Sequence, residues 1–417
     1  MIFESKLYSL GIGLFAAGVA LASPFKRKAR LMNKGHRDIE PRIRERLRRD
    51  SSTIWIHAAS LGEFEQARPL IEKIKREKPD SQILLTFFSP SGYEVRKDFE
   101  GADCVTYLPF DTPGSVRKFL DLVKPEIAIF VKYEIWRNYL YELSTRDIPA
   151  YLMCAAFRED QKFFSRRYRS YGRWLGKFRR IFVQDAGSRE LLEGIGIRDV
   201  DVLGDTRFDR VAHVRENRKR IEEIERFKSR GQTALTLVAG SSWPEDEDIY
   251  AEWIDSHPEV KLILAPHEFD DRRLQALKSR FKNGVVLQSE LKDNSGTDEN
   301  IDAQVMVLDS FGLLSSAYAY GDVAYVGGGF GDGLHNINEA AVYGMPVIYG
   351  PNNRKFIEAR EMIECGGGIE IESTESFGKA MEMLSDEKLR NRRGEASERY
   401  INSRLGATEK IFDKIFS

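Results

Sequence analysis

Val323-Ala324-Tyr325-Val326, then Gly327-Gly328-Gly329-Phe330-Gly331-Asp332-Gly333, then Leu334-His335-Asn336-Ile337-Asn338-Glu339-Ala340-Ala341, reads as a buried strand, a glycine turn and the start of a helix. Five glycines in seven residues leave the backbone free to approach a ligand closely, and a helix start offers unpaired N–H groups to a phosphate. Glu339 could accept hydrogen bonds from ribose hydroxyls, as acidic residues do in nucleotide folds. The stretch is neither a dinucleotide fingerprint nor a P-loop, because no Gly-Lys-Ser/Thr follows. The same rhythm extends outward along the chain. Apolar, β-rich runs at Leu235–Ala239, Lys261–Ala265, Gly284–Leu287, Val305–Leu308 and Pro346–Tyr349 alternate with helical stretches, and Thr53–Ala58, Gln82–Phe87, Ile127–Val131, Ala150–Cys154 and Ile181–Gln184 do so earlier. Strands buried on both faces and joined by helices predict parallel, doubly wound α/β sheets.

The 417 residues exceed what one core usually organises, so two domains are expected. The highly charged segment 210–231 lacks strand character and marks the boundary, giving a first domain over 51–215 and a second over 225–417. Two open sheets of this kind place their ligand sites at strand C-terminal ends, expected here on a central cleft that the two domains face. A hydrophobic fraction of 42% and a charged fraction of 31% exclude a polytopic membrane protein and a disordered chain. The 64 Lys+Arg and 65 Asp+Glu nearly cancel, and nucleic acid is not expected as a partner. Positive charge is nevertheless concentrated: residues 26–50 hold eleven Lys/Arg against four acids, and 162–180 interleave eight cations with six aromatics and no acid. The second stretch could meet an anionic membrane or pack its aromatic face into the core. Three scattered cysteines suit a reduced compartment, and no structural zinc is expected.

Nineteen uncharged residues separate Lys6 from Lys26, a helix of about 28 Å set against a hydrocarbon core of about 30 Å. Lys26, Arg27, Lys28 and Arg30 follow at once, which resists export and holds that side in the cytoplasm. A membrane-anchor helix within 1–50, spanning or lying obliquely, is therefore expected in preference to a cleaved signal peptide.

His57-Ala58-Ala59-Ser60-Leu61-Gly62-Glu63 follows the first strand and puts Glu63 at the mouth of a helix, where a carboxylate could act as a general base. Ser60 with Glu63 three residues on is equally a capping box. Lys132-Tyr133-Glu134-Ile135-Trp136, Gly204-Asp205-Thr206-Arg207-Phe208-Asp209, Ala239-Gly240-Ser241-Ser242-Trp243, Pro266-His267-Glu268 and Asp309-Ser310-Phe311-Gly312-Leu313 stand at other strand or helix ends.

Taken together, HAASLGEFE, the EIW near residue 135, GDTRFD and GGGF…GLHNINEAAVYGMPVIYGPN resemble the 3-deoxy-D-manno-octulosonic acid (Kdo) transferases of lipopolysaccharide assembly over nearly the whole chain. The resemblance implies a GT-B glycosyltransferase fold of two Rossmann-like domains. It also implies a CMP-Kdo donor with no further cofactor or metal, and inverting transfer to a lipid A precursor at the cytoplasmic face of the inner membrane. By the same resemblance Glu63 is the proton acceptor, and Glu134 and Arg207 assist the transition state. Pro266, His267, Phe311, Gly312, Leu313, Asn336, Ile337, Asn338 and Glu339 hold CMP. Several positions depart from the familiar pattern. Trp136-Arg137-Asn138 stands for Trp-Pro-Asn, Arg207 for a lysine, and Pro266-His267-Glu268 for Pro-Arg-His, while Phe311-Gly312-Leu313 lacks the usual acid after the glycine. Another nucleotide-sugar enzyme of the same fold, such as a UDP-sugar transferase or an epimerase, and a non-catalytic membrane scaffold are the alternatives.

Overall fold

The computed structural model describes residues 2–161, 164, 169–230, 233–292, 302–331 and 333–417. The chain divides into two compact units, Met1–Arg210 with Leu405–Ser417, and Val211–Arg404.

Unit 1 carries a parallel sheet of seven strands: β1 (Thr53–Ala58), β2 (Gln82–Phe87), β3 (Cys104–Tyr107), β4 (Ile127–Val131), β5 (Ala150–Ala155), β6 (Arg180–Val183) and β7 (Val200–Val202). Their spatial order is β3-β2-β1-β4-β5-β6-β7. Thr53 pairs with Gln82 on one side of β1, and Ile54 with Ile127 on the other. β1 is buried along its whole length, as its run Thr-Ile-Trp-Ile-His-Ala requires of a strand covered on both faces. Chain order reverses direction between β1 and β4, so a crevice opens there at the strand C-terminal ends.

Unit 2 repeats the scheme with β8 (Leu235–Ser242), β9 (Val260–Pro266), β10 (Val285–Leu287), β11 (Val305–Val307), β12 (Val323–Val326), β13 (Val347–Tyr349) and β14 (Gly368–Glu370). Here the order is β10-β11-β9-β8-β12-β13-β14, all parallel, and the corresponding crevice lies between β8 and β12.

Two of the expected boundaries change. Residues 1–50 do not stand apart as anchor and juxtamembrane segment. After α1 (Ile2–Ala22), helices α2 (Arg27–Arg37) and α3 (Ile39–Arg46) press Met32, Ile39 and Ile43 into the unit 1 core. Nor does the second domain run to the C-terminus. The last helix (Ala407–Phe416) buries Ile411 and Ile415 in the unit 1 core, and Lys73 pairs with Glu409 at 2.7 Å. Asp209 holds the turn before that helix, accepting from the Gly406 and Thr408 N–H groups at 2.6 and 2.7 Å. Segment 210–231, read as a linker, contains the end of the helix Thr206–Glu216 and the whole of the helix Glu222–Ser229.

Of the basic-aromatic stretch 162–180, residues 162, 163 and 165–168 lie outside the described residues. Phe164, Trp174 and Phe178 pack against the unit 1 core, so these aromatics serve packing. Among the described residues no single helix is long and apolar enough to cross a membrane; α1 and α2, bent by 112°, meet that length and composition only as a pair. α1 exposes Leu7, Leu10, Leu14 and Leu21.

Candidate active site

In unit 1 the crevice between β1 and β4 collects the carboxylates that the sequence singles out. His57, the penultimate residue of β1, is fully buried; its Nδ1 lies 2.9 Å from the Thr86 hydroxyl and its Nε2 lies 3.3 Å from Glu134 Oε2. Trp136 Nε1–H donates to the same Glu134 oxygen at 2.7 Å. Glu134 is thus a half-buried carboxylate at the end of β4 that accepts from the Trp136 indole N–H, with the buried His57 ring beside it. Glu63 opens helix α4 (Leu61–Glu77), which leaves the end of β1. Ser60 is the N-cap, yet its side chain makes no capping bond to the helix; its hydroxyl donates to the Glu63 carboxylate instead. The capping-box alternative is therefore not realised, and Glu63 is half-buried with a single small hydroxyl donor among the described residues.

Arg207 reaches the same helix by an indirect route. Asp205 is 3% exposed and receives Gln66 Nε2 of α4 at 2.9 Å and Arg207 Nε at 2.8 Å, while the Thr206 hydroxyl donates to the Gln66 carbonyl at 2.5 Å. Burial works to raise the Asp205 carboxyl, but the Arg207 guanidinium and these donors outweigh it and hold the group below its ordinary range. Asp205, part of the GDTRFD motif, and Gln66, which no motif marked, fix where Arg207 stands.

Asp111, at the end of the segment after β3, is 1% exposed and accepts from the Tyr8 hydroxyl at 2.7 Å and from the Asn138 and Tyr139 N–H groups at 3.1 and 3.0 Å. Burial pushes its carboxyl up to about 6, against the pull of those donors. The folded chain therefore binds this proton more tightly than the unfolded chain, whose aspartate titrates near about 3.9. The associated stabilisation is present in full below pH about 4 and is lost as pH rises through about 6, a change of about 3 kcal/mol. Urea unfolding between pH 4 and 6.5 is expected to show that decline, and Asp111→Asn to remove it.

In unit 2 the glycine turn after β12 is held from below by Asp246, fully buried on the helix Pro244–Ser256. Asp246 accepts from Gly328 N–H at 2.8 Å, Trp243 N–H at 2.9 Å and the Tyr325 hydroxyl at 2.8 Å. Burial raises its carboxyl, the three donors lower it, and burial dominates. Gly328 adopts φ +89°, which a side chain rarely tolerates. Beside the turn, Trp243, His267 and His335 form a ladder of rings, with centroids 4.5 Å apart for Trp243–His267 and 4.4 Å for His267–His335. Burial, aided by His267, lowers His335 to about 4, so a neutral ring can accept from Trp243 Nε1–H at 3.3 Å.

Of the three segments expected to hold CMP, the last is tied to the chain just past the second. Glu339 accepts from the Ser315 hydroxyl at 2.7 Å, just past Phe311-Gly312-Leu313, and from Asn336 Nδ2 at 3.2 Å. Ile337 is buried, and the Asn338 backbone N–H closes onto Asn336 Oδ1 at 3.2 Å. The Asn338 side chain is 1% exposed, and neither of its amide atoms has a partner among the described residues. Phe311 is 81% exposed and stacks on Phe269 at 4.7 Å. Pro266 ends β9, and His267 N–H is tied to the Ser242 carbonyl at 3.0 Å. Among the described residues no three His, Cys, Asp or Glu side chains gather as a metal site.

The family model for 3-deoxy-D-manno-octulosonic-acid transferase matches residues 38–210. A 3-deoxy-D-manno-octulosonic acid transferase of Aquifex aeolicus is 30% identical over 360 residues, 83% of this chain and 90% of that protein. The chain belongs to the Kdo transferase family. A homologue with the same name from Haemophilus influenzae is 28% identical over 374 residues, covering 86% of each chain. Acinetobacter baumannii MurG is similar in structure, with a TM-score of 0.56 at 10% identity over 87% of this chain and 99% of that one. Two parallel seven-stranded sheets flanked by helices, together with this likeness, give the GT-B architecture, and the family makes the chain a glycosyltransferase of lipopolysaccharide biosynthesis.

Proposed function

We propose that this Kdo transferase takes CMP-Kdo as donor and a lipid A precursor of the lipid IVA type as acceptor, with inversion and without a metal. Unit 1 supplies the acid–base groups and unit 2 the grip on the nucleotide. Glu63 accepts the proton of the acceptor hydroxyl as its oxygen bonds to the anomeric carbon of Kdo. The bond from that carbon to the CMP phosphate breaks on the opposite face, and CMP departs with the electron pair. The observation that carries the assignment is the difference between the two carboxylates. Glu134 is tied to the Trp136 indole N–H beside the buried His57 ring, whereas Glu63 is held by one hydroxyl that can turn away. A base must be free to take a proton, and a fixed anion is better suited to electrostatic support.

Arg207, braced by Asp205, is assigned to the charge on departing CMP. Pro266, His267, Phe311, Gly312 and Leu313 are assigned to the nucleotide, together with Asn336, Ile337, Asn338 and Glu339. The anchor is α1, with its exposed leucines at the cytoplasmic face of the inner membrane and the basic residues of α2 and α3 near anionic headgroups. A nucleotide competition tests the donor. CMP is expected to displace a fluorescent cytidine nucleotide at concentrations where UDP does not, and preferential displacement by UDP would favour a UDP-sugar enzyme instead.

A further inference from the structure

The N-terminal helix does more than lie beside unit 1. Tyr8 on α1 donates to Asp111, and Asp111 in turn receives the first N–H groups of the helix Arg137–Thr145. Ser9 lies within 3.4 Å of the Asn138 side chain, and the Arg137 guanidinium stands 4.8 Å from the centre of the Tyr8 ring. About two turns further along α1 from Tyr8, Phe15 packs against Phe88 and Phe110, with centroids 6.1 and 5.9 Å away. Phe88 lies 4.9 Å from Trp136, whose indole N–H holds Glu134. Both routes end on the same short segment, residues 134–139. One passes through hydrogen bonds and the other through rings, and Trp136 is the N-cap of the helix that Asp111 anchors.

We infer that α1 is a positioning element for the transfer reaction: Tyr8 through Asp111, and Phe15 through Phe88, set the segment that carries Glu134 and Trp136. The inference rests on the function proposed above, and it gives α1 a task separate from attachment. A helix used only as a tether needs no buried carboxylate between itself and a loop at the strand ends. Asp111 is buried with Tyr8 and two backbone donors, an arrangement that loses a hydrogen bond as soon as α1 lifts away. Arg137, standing where the family pattern has proline, adds a contact to Tyr8 that proline cannot make. Small displacements of groups around a reaction centre cost rate well before they cost folding, since about 1 Å can lower turnover about 10²-fold. Tyr8 and Phe15 are thus positioning residues that act through others.

The test uses the full chain with Tyr8→Phe and, separately, Phe15→Ala, assayed in detergent micelles so that recruitment to a bilayer plays no part. Each variant is expected to lose about 10-fold in kcat with KM for CMP-Kdo unchanged, and Phe15→Tyr is expected to restore the rate. Fluorine NMR of 5-fluorotryptophan-labelled protein, with the Trp136 signal assigned by Trp136→Phe, is expected to show that resonance shifted in both variants. An unmoved Trp136 resonance overturns the inference, and so does parental kcat in micelles with a defect only on vesicles. If the parental chain transfers no Kdo, the proposed function fails while the Trp136 signal still decides whether α1 sets the segment.

Discussion

Replacing Glu63 with glutamine is expected to lower Kdo transfer by about 10²–10⁴-fold while leaving the affinity for CMP nearly unchanged. Glutamine keeps the size of the side chain and can still accept the Ser60 hydroxyl, so the start of α4 should persist. It cannot take a proton at neutral pH. The acceptor hydroxyl must then lose its proton to water, and the missing factor appears in kcat rather than in binding. Apart from Arg207, the residues assigned to CMP belong to unit 2, while Glu63 belongs to unit 1. Single-turnover rates with saturating CMP-Kdo, set beside calorimetric titration with CMP, separate the two quantities. A variant that turns over at the parental rate removes Glu63 from the mechanism.

Gly329→Ala is expected to have the second large effect, and it acts through the backbone. A Cβ at this position would lie 2.6, 2.7 and 2.9 Å from the N, Cα and C atoms of Gly350. Those atoms cannot rotate away as a side chain could. They follow directly on β13, and Asn352 N–H ties the second turn back to the Gly329 carbonyl at 2.8 Å. The two turns must separate, which should cost about 1–3 kcal/mol of stability and about 10-fold or more in CMP affinity. Gly331→Ala is the matched control, because a Cβ there meets nothing within 4 Å. Thermal melting and CMP titration of both variants check the pair; equal behaviour would show that close approach of the two turns is not what the glycines provide.

These glycines also show how far the sequence could be read. The strand–turn–helix at 323–341 was legible because β12 lies inside the sheet, where burial on both faces demands an unbroken apolar run. Sequence reading passed over β3, β7 and β14, and all three are edge strands. An edge strand has one neighbour and less cover, so Val200-Asp201-Val202 and Gly368-Ile369-Glu370 carry too few apolar residues to stand out. The last helix was assigned to the wrong unit for a similar reason. Its amphipathic pattern shows that Ile411 and Ile415 need a core, though not which one.

The site divides in the same way. Glu63, Glu134, Arg207 and the Asn336–Glu339 segment carried recognisable motifs. The groups that brace them did not. Asp246 sits among other acids in Pro244–Ser256, and only the fold turns it under Gly328 and Trp243. Three donors to one carboxylate, each worth about 1.5–3 kcal/mol to a charged acceptor, recover only part of the desolvation cost, and no spacing rule announces that arrangement. His335 belonged to a quoted motif, yet its place beside Trp243 and His267 appears only once β8, β9 and β12 are side by side.

The most direct measurement is mass spectrometry of a tetra-acylated lipid A precursor incubated with the purified chain and CMP-Kdo. The account predicts that the lipid gains the mass of one or more Kdo residues as CMP is released, and that Glu63→Gln suppresses the gain. A precursor whose mass stays unchanged with active donor present, or one modified equally well by the Glu63 variant, contradicts it.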